Sequence, residues 1–390
     1  MLGTWRFGVF AAATALALGT TAASADYFVF ERHNLVSNLH SEGANPADPV
    51  LRNAWGIAFG PGTAFWIADN ATGCSTLYNG IGTKIPLQVK IPLPGNILPP
   101  ADCTAANSQP APNPAPAAPT GVVFNPTQGF AIPSDGAPAL FIFAAEDGTI
   151  SAWNPGTGTA AALVVDRSKT PSAALGAVYK GLALGASFDT GCFQPNAAHP
   201  TTGICLFATN FRAGTVEVFD SNFGLVSMPE GAFYDPGLPP GYAPFGIANI
   251  DGDLFVTYAL QNAEKHDDVS GPGHGFVDVF STSGKLLTRF ASRGALNSPW
   301  GITRATFGFG GLADHILIGN FGDGRINVYR PHGTFVGALP GPSGQPLTID
   351  GLWSLTFGGG SRAEPDTLYF TAGPNGETNG SFGEIVPVSQ

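Results

Sequence analysis

Six short apolar strand signals recur along this chain in the same company. Five carry a glycine second: Trp55-Gly56-Ile57-Ala58, Thr120-Gly121-Val122-Val123, Lys180-Gly181-Leu182-Ala183, Phe245-Gly246-Ile247-Ala248 and Trp300-Gly301-Ile302-Thr303. The sixth, Leu352-Trp353-Ser354-Leu355, places a serine where the glycine would stand. A second strand follows each, and in most copies a third strand led by glycine. The clearest pairs are Leu206 to Asn210 with Gly214 to Phe219, and Ile316 to Asn320 with Gly324 to Tyr329. A self-similar unit of short strands cannot bury its apolar faces alone and must stack on its neighbours, so a repeat architecture is required.

The units are 53 to 65 residues apart. A bare propeller blade needs about 40–45 residues, so each copy carries an insertion. The expected fold is all-β, a six-bladed β-propeller forming a single domain over 26–390. Its insertions are a proline-rich stretch at 92–119 and a charged loop at 261–275. A run so poor in backbone donors cannot enter a sheet interior and is expected as surface loop. Tyr27 to Phe30 and Leu35-Val36 precede the first unit without partners in it. They are expected to complete the last blade beside Phe382 to Val388, because closure removes the exposed edges of the ring.

Glycine (53) and proline (34) are abundant and only 12% of residues are charged, the composition of many tight turns between short strands. The formal net charge of −11 argues against nucleic acid, which needs clustered Lys and Arg, and against an anionic membrane surface. Arg6, an apolar run from Val9 to Leu18 and Ala23-Ser24-Ala25 read as a cleaved secretory leader over 1–25. The apolar run is too short to span a bilayer, so the expectation is a periplasmic or secreted monomer without membrane insertion. Four cysteines in an exported chain suggest two disulfides. Pairing within a repeat, Cys74 with Cys103 and Cys192 with Cys205, is favoured; the spacings match no zinc motif.

These strand patterns resemble NHL-type six-bladed propellers over nearly the whole chain. The run Val256 to Ala259 through Lys265-His266-Asp267-Asp268 to Gly275-Phe276-Val277-Asp278-Val279-Phe280 is similar to an uncharacterised family of exported bacterial propellers, as is Thr371 to Glu377. The resemblance implies fold and export, and no activity.

In a four-stranded blade, the start of the inner strand and the loop after the second strand open on one face. One mouth of the ring should therefore collect Asp69 and Asn70, Glu146 and Asp147, Asn210 and Arg212, Asn320 and Asp323, and Asn375 and Glu377. Carboxylate and amide oxygens converging on a pore suit a hard cation. The candidate metal ligands are Asp69, Glu146, Asn210, Asn320 and Glu377, for Ca²⁺ or another divalent cation. The competing reading is that Asn and Asp before glycine bond their own backbone and shape turns. The loop at 261–275 is the most charged patch, and His266, Asp267, Asp268 and His274 are its candidate ligand-binding residues; a solvated, self-paired loop is the alternative. His33, His40, His199, His315 and His332 are expected to be structural or exposed. Trp55, Phe245, Trp300 and Trp353 are expected to pack between blades, with a stacking floor for sugar rings as the other use.

No nucleophile elbow, HExxH helix, P-loop or dinucleotide fingerprint occurs, so no nucleotide cofactor is expected. The leading functional reading is an exported binding or scaffold propeller that holds a small molecule, a glycan or a protein loop at a mouth able to take a cation. The alternative is a lactonase- or esterase-type hydrolase resembling the gluconolactonase propellers, in which a divalent metal polarises the carbonyl and activates water.

Overall fold

The recurring glycine sits where two neighbouring inner strands touch. A methyl carbon placed on Gly56 would lie 2.4 Å from the Thr120 main-chain oxygen, and one on Gly246 would lie 2.1 Å from that of Trp300. Only a residue without Cβ lets the strands converge this closely toward the axis. The pairing register of every inner strand also slips at this point, between Ala54 and Ile57, Pro119 and Val122, Tyr179 and Gly181, Pro244 and Ile247, Pro299 and Ile302, and Leu352 and Leu355. The repeat thus encodes a bulge that bends each strand around the channel.

The computed structural model describes residues 1, 3, 28–44, 47–98, 103, 116–195 and 201–389. The expected leader at 1–25 (apart from residues 1 and 3), Tyr27, most of the proline-rich run at 99–115 and His199 lie outside the described residues. Six antiparallel sheets surround the axis. From inner to outer strand, blade 1 is Ala54–Ala58, Phe65–Asp69, Cys74–Tyr78 and Lys84–Lys90. Blade 2 is Pro119–Phe124, Phe141–Ala145, Thr149–Trp153 and Ala162–Asp166. Blade 3 has three strands among the described residues, Tyr179–Ala186, Ile204–Asn210 and Thr215–Phe219. Blade 4 is Tyr242–Ile250, Asp253–Leu260, Phe276–Phe280 and Leu286–Ser292, and blade 5 is Pro299–Arg304, Ile316–Asn320, Ile326–Tyr329 and Phe335–Ala338.

Blade 6 joins the chain ends. Its strands Leu352–Phe357, Leu368–Ala372 and Ser381–Ser389 are followed outward by the N-terminal strand Phe28–Ser37. Val29 lies opposite Val388 and Val36 opposite Phe382, which is the closure expected from the sequence. The inner strand of blade 6 also neighbours that of blade 1, so the ring is complete.

The strands read as nearly unbroken apolar runs because both faces of a blade are covered. Phe65 and Ile67 of blade 1 pack with Tyr369 and Phe382 of blade 6. On its other side, Trp66 packs with Phe141, Phe143 and Trp153 of blade 2. Buried threonines rivet the seams near the axis: Thr120 Oγ1 donates to the Tyr179 oxygen at 2.9 Å, Thr209 Oγ1 to that of Phe245 at 2.8 Å, and Thr371 Oγ1 to that of Trp55. The cysteines pair as Cys74–Cys103 and Cys192–Cys205. No helix among the described residues is long and apolar enough to cross a membrane.

Candidate functional site

The residue before each recurring glycine forms a ring: Trp55, Thr120, Lys180, Phe245, Trp300 and, before Ser354, Trp353. All six are buried. Trp55 and Trp353 stack at 3.6 Å between ring centroids, Phe321 stacks on the other face of Trp353 at 4.0 Å, and Phe245 and Trp300 meet Trp353 edge-on at 6.0 Å. These rings pack on one another rather than offering faces for sugar stacking. Below this layer, toward the far ends of the inner strands, lies a cavity of about 450 Å³ lined by all six blades and by no ionisable side chain.

Above the aromatic layer, polar side chains link five blades in one hydrogen-bonded belt. Trp353 Nε1 donates to Asn53 Oδ1 at 2.8 Å. Asn53 Nδ2 donates to Glu377 Oε2 at 2.7 Å and to Asn70 Oδ1 at 3.1 Å. Asn70 Nδ2 in turn donates to Glu146 Oε2 at 3.0 Å, and the Lys180 ammonium bonds Glu146 Oε1. Lys180 Nζ also reaches Asp267 Oδ1 at 3.4 Å, and that oxygen accepts from His266 Nδ1 at 2.8 Å.

The strand period explains which residues join. Asp69, Asn210 and Asn320 end second strands and share a face with Ile67, Ala208 and Ile318, which are fully buried. They therefore turn into the blades. Asp69 is sealed beside Thr76, and burial pushes its carboxyl well above the usual range. Asn210 accepts from the amides of Val178 (3.3 Å) and Ala213 (3.2 Å) and donates to Glu217 (3.0 Å). Asn320 donates to the Ala295 oxygen at 2.8 Å and to Asp323 at 3.0 Å. In blades 1, 2, 3 and 5 the next residue faces the axis instead: Asn70, Glu146, Phe211 and Phe321 stand in that place. Pairing of Ala54 with Asp69 and of Pro119 with Ala145 puts Ala145 at the position of Asp69, so Glu146 takes that of Asn70.

The 261–275 loop is folded tightly on itself. Val269 N bonds Leu260 O at 2.7 Å, Asn262 N bonds Asp267 O at 2.8 Å, and His266 N bonds Asn262 Oδ1 at 2.9 Å. Gln261 reaches across to the Phe211 oxygen at 2.5 Å. This holds His266, Asp267 and Asp268 at the mouth beside blade 3. His274 Nδ1 instead donates to the Val269 oxygen at 2.8 Å and braces the loop.

Of the sequence candidates, the structure gathers Glu146, Glu377, His266, Asp267 and Asp268; Asp69 is enclosed within its blade, and Asn210, Asn320 and His274 have the other partners described. Sequence reasoning missed Asn53 and Lys180. Lys180 carried a signal, being the one charged residue at the position before the recurring glycine.

Glu146 and Asp267 thus pair with one ammonium, and Asp268 and Glu377 lie within reach of its charge. Burial works against the charge on Lys180, yet Glu146, with Asp267 and Asp268, holds its pKa above the ordinary lysine value. It stays a cation and is no amine nucleophile. The His266 hydrogen bond, with the charges of Lys180 and His266, brings the Asp267 carboxyl down to about 2 against a partial burial cost. Burial raises Glu377 and Asp268, and each is raised further by neighbouring carboxylates. The carboxyl groups of Glu146, Asp267, Asp268 and Glu377 thus crowd one another, with Lys180 as the buried cation among them. One ring nitrogen of His266 and one oxygen each of Glu146 and Asp267 lie within 4.8 Å of one another, a spacing that can close on a cation.

No protein-family model matches the chain. It is 31% identical over 357 residues to the uncharacterised protein R648 of Acanthamoeba polyphaga mimivirus, covering 90% of this chain and 78% of that one. To the uncharacterised protein L690 of the same virus it is 30% identical over 358 residues, covering 90% and 84%. Among solved structures, the soluble aldose sugar dehydrogenase of Escherichia coli superposes with a TM-score of 0.51 at 11% identity, over 92% of this chain and 100% of that one. Likeness at that identity speaks for the fold alone.

Proposed function

The chain belongs to the family of the uncharacterised mimivirus proteins R648 and L690, and from that premise we propose that it is an exported binding propeller whose mouth captures a divalent cation and, through it, a small ligand. One observation carries the reading: Glu146, His266 and Asp267 from two blades bring ligand atoms within 4.8 Å of one another, in a mouth rich in carboxyl groups. A nitrogen beside two carboxylates favours Zn²⁺ or Mn²⁺ over Ca²⁺, which takes an all-oxygen shell. The two disulfides support an oxidising, extracytoplasmic setting.

Calorimetric titration of the protein with Zn²⁺ and Mn²⁺ tests the reading. One site is expected, lost in both His266→Ala and Asp267→Asn. Binding that persists unchanged in both variants would overturn it.

A further inference from the structure

Lys180 stands where four of the other five blades place an aromatic ring and blade 2 places Thr120. It is 2% exposed, and an ammonium out of water is tolerated only when paired and hydrogen-bonded. Glu146 and Asp267 supply that pairing from the blades on either side. An ammonium has three N–H donors. With carboxylates engaged on one side, the group lies 5.1 Å from the Trp55 ring and 5.8 Å from that of Phe211, within cation–π range. Its own carbonyl accepts from Trp300 Nε1 at 3.0 Å, which fixes the backbone beneath it. The charge is held in place from both ends.

The oxygens that Lys180 engages, Glu146 Oε1 and Asp267 Oδ1, belong to the residues that would hold an incoming cation. We infer that Lys180 is the specificity-determining residue of this mouth: a tethered first cation that shares Glu146 and Asp267 with the bound ion, weakens the site, and limits it to a single dication anchored by His266. The inference rests on the cation reading of the mouth. Its physical content is repulsion: two positive charges a few ångströms apart at a partly buried site oppose each other by more than enough to change affinity about tenfold. Lys180 also offsets the mutual repulsion of these carboxylates when no ion is bound. The mouth is therefore built to be stable empty, at the expense of affinity.

The test is Zn²⁺ calorimetry on Lys180→Met, with folding checked by near-ultraviolet circular dichroism on the same samples. The expected result is affinity raised at least about tenfold over wild type, with Lys180→Arg close to wild type. If wild type takes up no Zn²⁺ but Lys180→Met does, the native cation reading fails and the role of Lys180 stands. Affinity in Lys180→Met equal to or below wild type overturns the inference, as does an absence of binding in both. Should Lys180→Met not fold, Lys180→Gln carries the comparison, and ¹⁵N-lysine labelling of the wild type reads the same contact directly. Saturating Zn²⁺ should then shift the Lys180 Nζ resonance, and an unmoved resonance overturns the inference.

Discussion

Trp55 of the first blade and Trp353 of the last lie face to face with ring centroids 3.6 Å apart. They are nearly 300 residues apart in sequence, and their contact is the innermost part of the seam where the ring closes. The same Trp353 bonds Asn53 and so ties the aromatic layer to the polar belt above it.

Trp353→Ala should cost about 3–5 kcal/mol of stability, as expected for emptying a large aromatic site. Trp353→Phe should recover much of the packing but not the Asn53 bond. Urea unfolding followed by intrinsic fluorescence measures both; a loss under 1 kcal/mol on the order of a surface change for Trp353→Ala would show that the seam does not depend on this stack.

Removing residues up to Ser37 should expose the edge of Ser381–Ser389, which the N-terminal strand pairs from Phe28 to Ser37. An unpaired strand edge templates association. Light scattering should show oligomers or aggregates, and a synthetic peptide of residues 28–37 added during refolding should suppress them. A monodisperse, cooperative truncated protein would contradict this.

Each disulfide should contribute about 3–4 kcal/mol by restricting the unfolded chain, with the larger share from the longer loop. The separations are 29 residues for Cys74–Cys103 and 13 for Cys192–Cys205. Paired Cys→Ser replacements compared by thermal unfolding should rank the first as the more damaging.

Burial raises Asp147 from 3.8 to about 6, against hydrogen bonds from Thr149, with Asp166 and Glu146 adding to the rise. The neutral acid is favoured in the fold, so stability linked to this group is fully present below pH 3.8 and is lost as pH rises through about 6. Asp147→Asn should consequently stabilise the protein by about 1–3 kcal/mol at pH 8 and by little near pH 4. Denaturation midpoints across that range decide it; a gap independent of pH would show that the carboxyl does not titrate in the fold.

The blades were legible because a bulged glycine, an apolar pair and a glycine-led third strand are local signals, fixed by strand period and turn chemistry. Gly56 and Gly246 marked the repeat, and the structure supplies the reason in the approach of Thr120 and Trp300. The N-terminal strand was equally readable, since Val29, Phe30 and Val36 had no other partners to seek. The mouth was only half legible. Glu146, Glu377 and the His266–Asp267–Asp268 loop could be placed on the right face, but Asp69, Asn210 and Asn320 looked alike to them in sequence and point elsewhere.

By itself the sequence determined six similar blades and a ring closed by its own first strand, and it favoured cysteines paired within repeats. Each depends on residues close in the chain or on one unmatched strand. Only the tertiary structure decided which side chains meet at the axis. A shift of one residue at a strand end turns a side chain from the mouth into a blade, as Asp69 and Asn70 show, and the loop path alone brings Asp267 to Lys180 across 87 residues. The contact between Lys180 and Glu146 is likewise a product of blades bent toward one axis, because neither residue has a local reason to find the other.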